Sequence, residues 1–196
     1  MSLLLCGGIR PIETIPDFGA ALHEHLCAKT NPAVRASSVT AWSLLAEVLR
    51  MLGLQELPEV RFDPGGKPFF TDSPLHFSLS HSGKLAAVLI SDEACGVDIE
   101  LVRPEVAERL RVRCLSDAER ARSCDFFELW TKKECIAKLD GSGMTAHPGN
   151  IDTLDARWSH RFFTTRVHDD LGQVYALSAL CGDAETLHIT KNDTEA

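Results

Sequence analysis

Two carboxylates one residue apart, Asp98 and Glu100, lie in the stretch LHFSLSHSGKLAAVLISDEACGVDIE, residues 75–100. A third, Glu134, lies in FFELWTKKECIAKLDGSGM, residues 126–144. Alternate side chains of an extended segment share a face, so Asp98 and Glu100 point together while Val97, Ile99 and Leu101 turn to the core. Carboxylates held close repel unless a cation sits between them. Mg²⁺ suits such a site because it takes hard oxygen ligands and keeps waters and substrate phosphates in its shell; Mn²⁺ is the alternative. Taken alone, a D-x-E pair reads first as a solvated strand face.

Trp130, Glu134 and Lys138 are spaced by four and share one face of a helix. A Glu-Lys pair on such a face can simply stabilise the helix by a few tenths of a kcal/mol. Trp130 on the same stripe points instead to a half-buried face, where charge needs a partner. Ser80-His81-Ser82-Gly83 reads as a tight turn at a strand end, with hydroxyls, an imidazole and backbone N–H groups able to hold phosphate. An ordinary polar hairpin is the alternative. Nucleophilic Ser-His chemistry fits poorly, because no G-x-S-x-G elbow is present. Gly65-Gly66-Lys67-Pro68 lacks the spacing of a phosphate-binding P-loop. Cys135 reads as a packed small residue.

These groups need elements to carry them. Strands are expected over residues 3–9, 60–62, 76–79, 85–90 and 97–101, the middle pair antiparallel. Helices are expected from an Asp17 cap to about Lys29, and over 34–52 with Gly53 ending it; Asn31-Pro32 separates the two. After Arg103-Pro104 come helical sequence over 106–114, a capping box formed by Ser116 and Glu119, and a helix over 126–139 capped by Asp125. Strands over 151–154, 161–168, 174–180 and 187–190 follow, with a hairpin turn at Asp170-Leu171-Gly172 and a frayed tail over 192–196. The expected class is α+β: two similar α+β subdomains, residues 1–103 and 104–196, each placing helices on an antiparallel sheet in a pseudo-dimer.

Composition narrows the function. The 196 residues are 44% hydrophobic, enough for a real core. The net charge of −8 argues against a nucleic-acid partner. No apolar run approaches a membrane span and residues 1–8 lack the basic flank of a signal peptide, so a cytoplasmic location is expected. The 7 cysteines include no C-x-x-C and read as free thiols in a reducing compartment.

The ordered set Gly66-Lys67-Pro68, Phe77-Ser78-Leu79-Ser80-His81-Ser82-Gly83, Gly96-Val97-Asp98-Ile99-Glu100 and Trp130-Thr131-Lys132-Lys133-Glu134, with Lys138 and Gly141-x-Gly143, resembles the 4′-phosphopantetheinyl transferases. The likeness is to their longer two-subdomain, surfactin-synthetase-activating type. It covers roughly residues 66–144; Cys135 stands where alanine or serine is expected. The resemblance implies Mg²⁺-dependent transfer of the phosphopantetheine arm of coenzyme A to a serine of an apo acyl or peptidyl carrier protein, releasing 3′,5′-ADP. It implies Asp98, Glu100 and Glu134 as metal ligands, Glu134 as proton acceptor and Lys138 at the departing phosphate. Lys67, Ser80, His81, Lys133 and Arg35 would grip coenzyme A phosphates, with Lys29 matched only by rough position. A monomer is expected. Carrier proteins of this system dock through an acidic helix, so the basic run Arg109, Arg111, Arg113, Arg120 and Arg122 is a candidate docking patch, or a solvated helix face. Two other functions compete: another Mg²⁺-dependent phosphoester or nucleotide hydrolase, and a non-catalytic binder of coenzyme A or a carrier protein.

Overall fold

A computed structural model describes residues 1–12, 14–122, 125–141, 143 and 147–191. Cys124, Met144 and the tail 192–196 lie outside the described residues. The N-terminal strand β1 (Ser2–Gly8) leads into helices α1 (Ala20–Cys27) and α2 (Pro32–Met51). Asn31-Pro32 does more than separate these helices. The Asn31 side chain accepts the N–H groups of Ala33 and Val34, and proline occupies the first turn, so α2 begins two residues before the expected start. Asp17 does not cap α1; it accepts the N–H of Gly19, which is itself the N-cap at φ 85°.

Strands β2 (Val60–Phe62) and β3 (Pro68–Phe70) form a small hairpin around the glycine-rich loop. Strands β4 (His76–Ser82), β5 (Leu85–Ser91) and β6 (Gly96–Leu101) follow. Ser80, His81 and Ser82 are therefore strand residues and not a turn, because their register with Ala87, Ala86 and Leu85 continues to the end of β4. Helices α3 (Glu108–Cys114), α4 (Asp117–Ala121) and α5 (Phe126–Asp140) precede β7 (Phe162–His168), β8 (Val174–Leu180) and β9 (Leu187–Lys191). The capping box at Ser116 and the Asp125 cap are both formed, and Gly141 ends α5 in the left-handed region.

The sheets have the orders β4-β5-β1-β9, β2-β3 and β6-β8-β7. β9 runs parallel to β1, which no meander allows. The cut expected at Arg103-Pro104 thus crosses both larger sheets: β6 joins β8 and β7, and β9 joins β1. The strand expected over 151–154 is absent. Its polar groups serve an ion pair instead, with the Ile151 carbonyl accepting from Lys133 and the Thr153 N–H and hydroxyl donating to Glu119.

The α+β class holds, and alternation along the strands makes the layers. On β1, Leu3 and Leu5 face α1 and α2 with Trp42, Leu45 and Leu49, while Leu4 faces the β6-β8-β7 sheet with Val97, Ile99 and Leu177. β5 is buried at every position, as its continuous apolar run requires. α5 covers the far face of the second sheet through Cys135, Ile136, Leu129 and Phe126. Cys27, Cys95, Cys114, Cys135 and Cys181 are free thiols.

Gly96 decides how closely α5 can lie on β6: a Cβ there would collide with the Cys135 carbonyl in the helix backbone. Backbone cannot swing aside as a side chain can, so Gly96→Ala is expected to cost about 3 kcal/mol, the upper range for overpacking. Urea denaturation of the variant checks this, with an unchanged midpoint as the contrary result.

Candidate active site

β6 carries Asp98 and Glu100 on one face; α5 carries Trp130, Glu134 and Lys138 along one stripe. Packing α5 over β6 brings all five to one cavity of about 430 Å³, also lined by His25, Lys29, Trp42, Phe62, Ser80 and His81. Carboxylates occupy the β6–α5 side. Cations and imidazoles come from β4 and from α1 with the loop that follows it.

Asp98 is nearly buried, and its Oδ1 accepts from Ser80 Oγ and from Lys138 Nζ, each at 2.7 Å. Lys138 also donates to the Val97 carbonyl at 2.8 Å. Burial is the main force on Glu134, joined by the negative charges of Asp98 and Glu100; against the opposing pull of Lys138 its pKa is pushed up to about 7. Glu100 is held above the usual carboxylate range by burial and by Asp98, although a hydrogen bond from Ser82 pulls the other way. His81 lines the cavity, and its Nε2 lies 3.5 Å from Ser38 Oγ. Desolvation, then the ammonium groups of Lys138 and Lys29, hold His81 below its ordinary pKa.

Among the described residues no three His, Cys, Asp or Glu side chains converge into a ready-made metal cage. Mg²⁺ seldom needs one; it is commonly held by one or two carboxylates together with substrate phosphates and water. Three oxygen-donor carboxylates facing cations across an open cavity fit that mode of binding.

Three expected phosphate ligands are placed elsewhere. Lys133 is wholly buried, with its ammonium 2.7 Å from the equally buried Glu119. One residue along a helix turns the side chain by about 100°, so Lys133 cannot share the Glu134 face. Burial opposes the Glu119 charge, yet hydrogen bonds from Lys133, Ser116 and Thr153 hold its pKa below the usual value. Lys67 donates to the Leu139 carbonyl at 2.7 Å, at the C-terminal end of α5. Arg35 grips the Lys29 carbonyl through Nε at 2.9 Å and Nη2 at 2.8 Å, so Lys29 is the early cation that lines the cavity. Ser80 does line the cavity, but its hydroxyl is engaged by β6.

Sequence reasoning missed the aromatic wall. His25 stacks on Phe62 at 4.5 Å between centroids, and Trp42 stands nearby in the lining. His25 and Lys29 are four residues apart, the one sequence signal that links two of these residues.

The profile of the 4′-phosphopantetheinyl transferase superfamily matches residues 94–189. The 4′-phosphopantetheinyl transferase AcpT of Salmonella typhimurium is 37% identical over 132 residues, 61% of this chain and 67% of that protein. AcpT of Escherichia coli (strain K12) is 37% identical over 100 residues, 45% of this chain and 51% of that protein. The 4′-phosphopantetheinyl transferase gsp of Aneurinibacillus migulanus is 37% identical over 87 residues, 40% of this chain and 36% of that protein. No described helix is long and apolar enough to cross a membrane.

A carboxyl whose folded pKa is raised above its unfolded value of 4.5 favours the fold only while protonated. The metal-free protein should therefore lose stability as pH rises from about 4.5 through 7, and stay penalised above. Glu134→Gln should be the more stable form at pH 8 by up to about 3 kcal/mol, with the gap closing toward pH 5. Paired denaturation curves in EDTA at the two pH values measure it; equal stability at pH 8 is the contrary result.

Proposed function

Since this chain belongs to the 4′-phosphopantetheinyl transferase superfamily, we propose that it moves the phosphopantetheine arm of coenzyme A onto a serine hydroxyl of an apo acyl or peptidyl carrier protein. The observation that carries this reading is the meeting of Asp98, Glu100 and Glu134 with Lys138, Lys29 and His81 in one cavity. A pyrophosphate with a 3′-phosphate needs both kinds of group: cations for its charge, and carboxylates to retain a divalent ion shared with it.

Asp98, Glu100 and Glu134 would hold Mg²⁺, or Mn²⁺ in its place, which when bound supplies charge neutralisation on the pyrophosphate. Lys29 and His81 face the cavity and would receive the 3′-phosphate. The stacked His25 and Phe62 with Trp42 offer a flat wall to the adenine π-face. The carrier serine oxygen bonds to the phosphorus that bears pantetheine, and the bridging P–O bond of the pyrophosphate breaks. The serine proton passes to Glu134 as general base. Lys138, one turn along α5, stabilises the departing phosphate of 3′,5′-ADP.

The carrier would arrive over α3. Arg111 lies 5.6 Å above the Phe126 ring, Phe126 stacks on Trp130 at 6.3 Å, and Trp130 lines the cavity. α3 thus stands one aromatic layer from the site. It exposes Leu110 and Val112 beside Arg109 and Arg113, an apolar and basic surface on a chain of net charge −8. Arg120 belongs less to this surface, since it binds the Val112 and Leu115 carbonyls and Asp117.

Intact-mass spectrometry of an apo carrier protein incubated with the enzyme, coenzyme A and MgCl₂ tests the reaction. The expected result is a gain of one phosphopantetheine arm, abolished by EDTA and nearly abolished in Glu134→Gln and in Asp98→Ala. Consumption of coenzyme A without modification of any carrier would favour hydrolysis; wild-type rates in either variant would refute the assigned roles. Reversing Arg109 and Arg113 together to Glu should raise KM for the carrier on the order of tenfold while leaving KM for coenzyme A unchanged. An unchanged carrier KM would remove α3 from the docking surface.

A further inference from the structure

β6 is an edge strand: β8 pairs with it on one side, and its other edge faces β4 without a main-chain ladder. Buried N–H groups on that edge need acceptors. Three serines at alternate positions of β4 provide them. Val97 N–H donates to Ser78 Oγ at 3.0 Å, Ile99 N–H to Ser80 Oγ at 3.2 Å, and Leu101 N–H to Ser82 Oγ at 3.1 Å.

A hydroxyl that accepts on its oxygen still has a proton to give. Ser80 gives it to Asp98 Oδ1 at 2.7 Å, and Ser82 to Glu100 Oε2 at 3.1 Å. Ser78 makes only the first of these bonds, because the residue at the equivalent place on β6 is Gly96, which has no side chain to receive one. The three serines are therefore alike toward the backbone and unlike toward the carboxylates.

We propose that Ser80 and Ser82 are positioning residues that set the side-chain orientation of Asp98 and Glu100 for a shared divalent cation. The accepted backbone N–H pins each hydroxyl, so its proton is aimed at the carboxylate before any ligand arrives. The N–H···O–H···O⁻ chain polarises along its length, and its last bond is charge-assisted. Ser80 thus acts through Asp98 and not as a phosphate ligand. The inference rests on the reading that these carboxylates hold the cation.

Mn²⁺ binding, followed by the loss of the free-ion electron paramagnetic resonance signal in the presence of coenzyme A, separates this role from a structural one. Removing a partner that orients a metal ligand typically costs 10- to 100-fold in affinity, so Ser80→Ala and Ser82→Ala should each weaken Mn²⁺ binding about tenfold or more. Ser78→Ala removes the same kind of backbone acceptor and should bind Mn²⁺ within about twofold of wild type, since no carboxylate loses its partner. Ser82→Thr, which keeps the hydroxyl, should restore binding. Thermal melts should show a comparable loss of stability in all three alanine variants, as each leaves one β6 N–H without its acceptor. Mn²⁺ affinities of Ser80→Ala and Ser82→Ala that match Ser78→Ala would overturn the positioning role while leaving the cation site standing. A wild-type protein that takes up no Mn²⁺ with coenzyme A would overturn the cation site itself, and this inference with it. Should Ser80→Ala fail to fold, the less buried Ser82 pair decides the question.

Discussion

Two sheet edges meet in this protein without pairing, and the rest of the site depends on how that seam is closed. A direct ladder between β4 and β6 would merge the two large sheets into one surface. The face-to-face packing that buries Leu4, Leu89, Val97 and Ile99 would then be lost. Leaving the β6 edge open would strand N–H groups in a dry interior. Side chains provide the third solution. A serine hydroxyl is short enough to reach a neighbouring backbone and still carries a donor of its own. Lys138 adds the complementary contact, taking the Val97 carbonyl on the same edge.

The same region concentrates unfavourable charge. Asp98, Glu100 and Glu134 face one cavity, and burial first, then the charges of Asp98 and Glu100, push the Glu134 pKa up to about 7. Groups arranged against their own electrostatic preference are held there by the remainder of the fold. Here the holding parts are identifiable. Gly96 lets the α5 backbone lie against β6, Thr131 Oγ1 meets Ser178 Oγ on β8 at 2.7 Å, and Cys135 Sγ donates to the Ser178 carbonyl.

Lys133 and Glu134 are neighbours in sequence with opposite duties. Glu134 faces the cavity. Lys133 joins Glu119, Thr153 and the Ile151 carbonyl in a sealed polar cluster. An ion pair so deep contributes little net stability once desolvation is counted, but losing one partner would leave a buried charge alone. Its effect is to anchor α4 and the 151–153 segment to the back of α5, which fixes the rotation of the helix that carries Glu134.

Local chemistry in the sequence was sufficient for much of this. Alternation put Asp98 and Glu100 on one face, spacing by four put Trp130, Glu134 and Lys138 on one stripe, and the caps at Ser116 and Asp125 are formed by neighbours in the chain. What stayed hidden was everything set by partners distant in sequence. Ser80 looked like a phosphate ligand because its nearest neighbours are polar; its real partners, Asp98 and Ile99, come from another sheet. Lys67, Lys133 and Arg35 each looked like free cations, and each is engaged by a carbonyl or carboxylate that only packing brings near. The boundary drawn after Arg103 rests on proline chemistry alone, yet β6 pairs with β8 and β1 with β9 across it, because hydrogen bonding between strands is indifferent to chain order. Sequence by itself determined which faces carry charge and that Ser116 and Asp125 would cap helices, since both follow from geometry within a few residues. Tertiary structure alone decided which charges remain available to a ligand, since a charge is neutralised by whatever lies close in space.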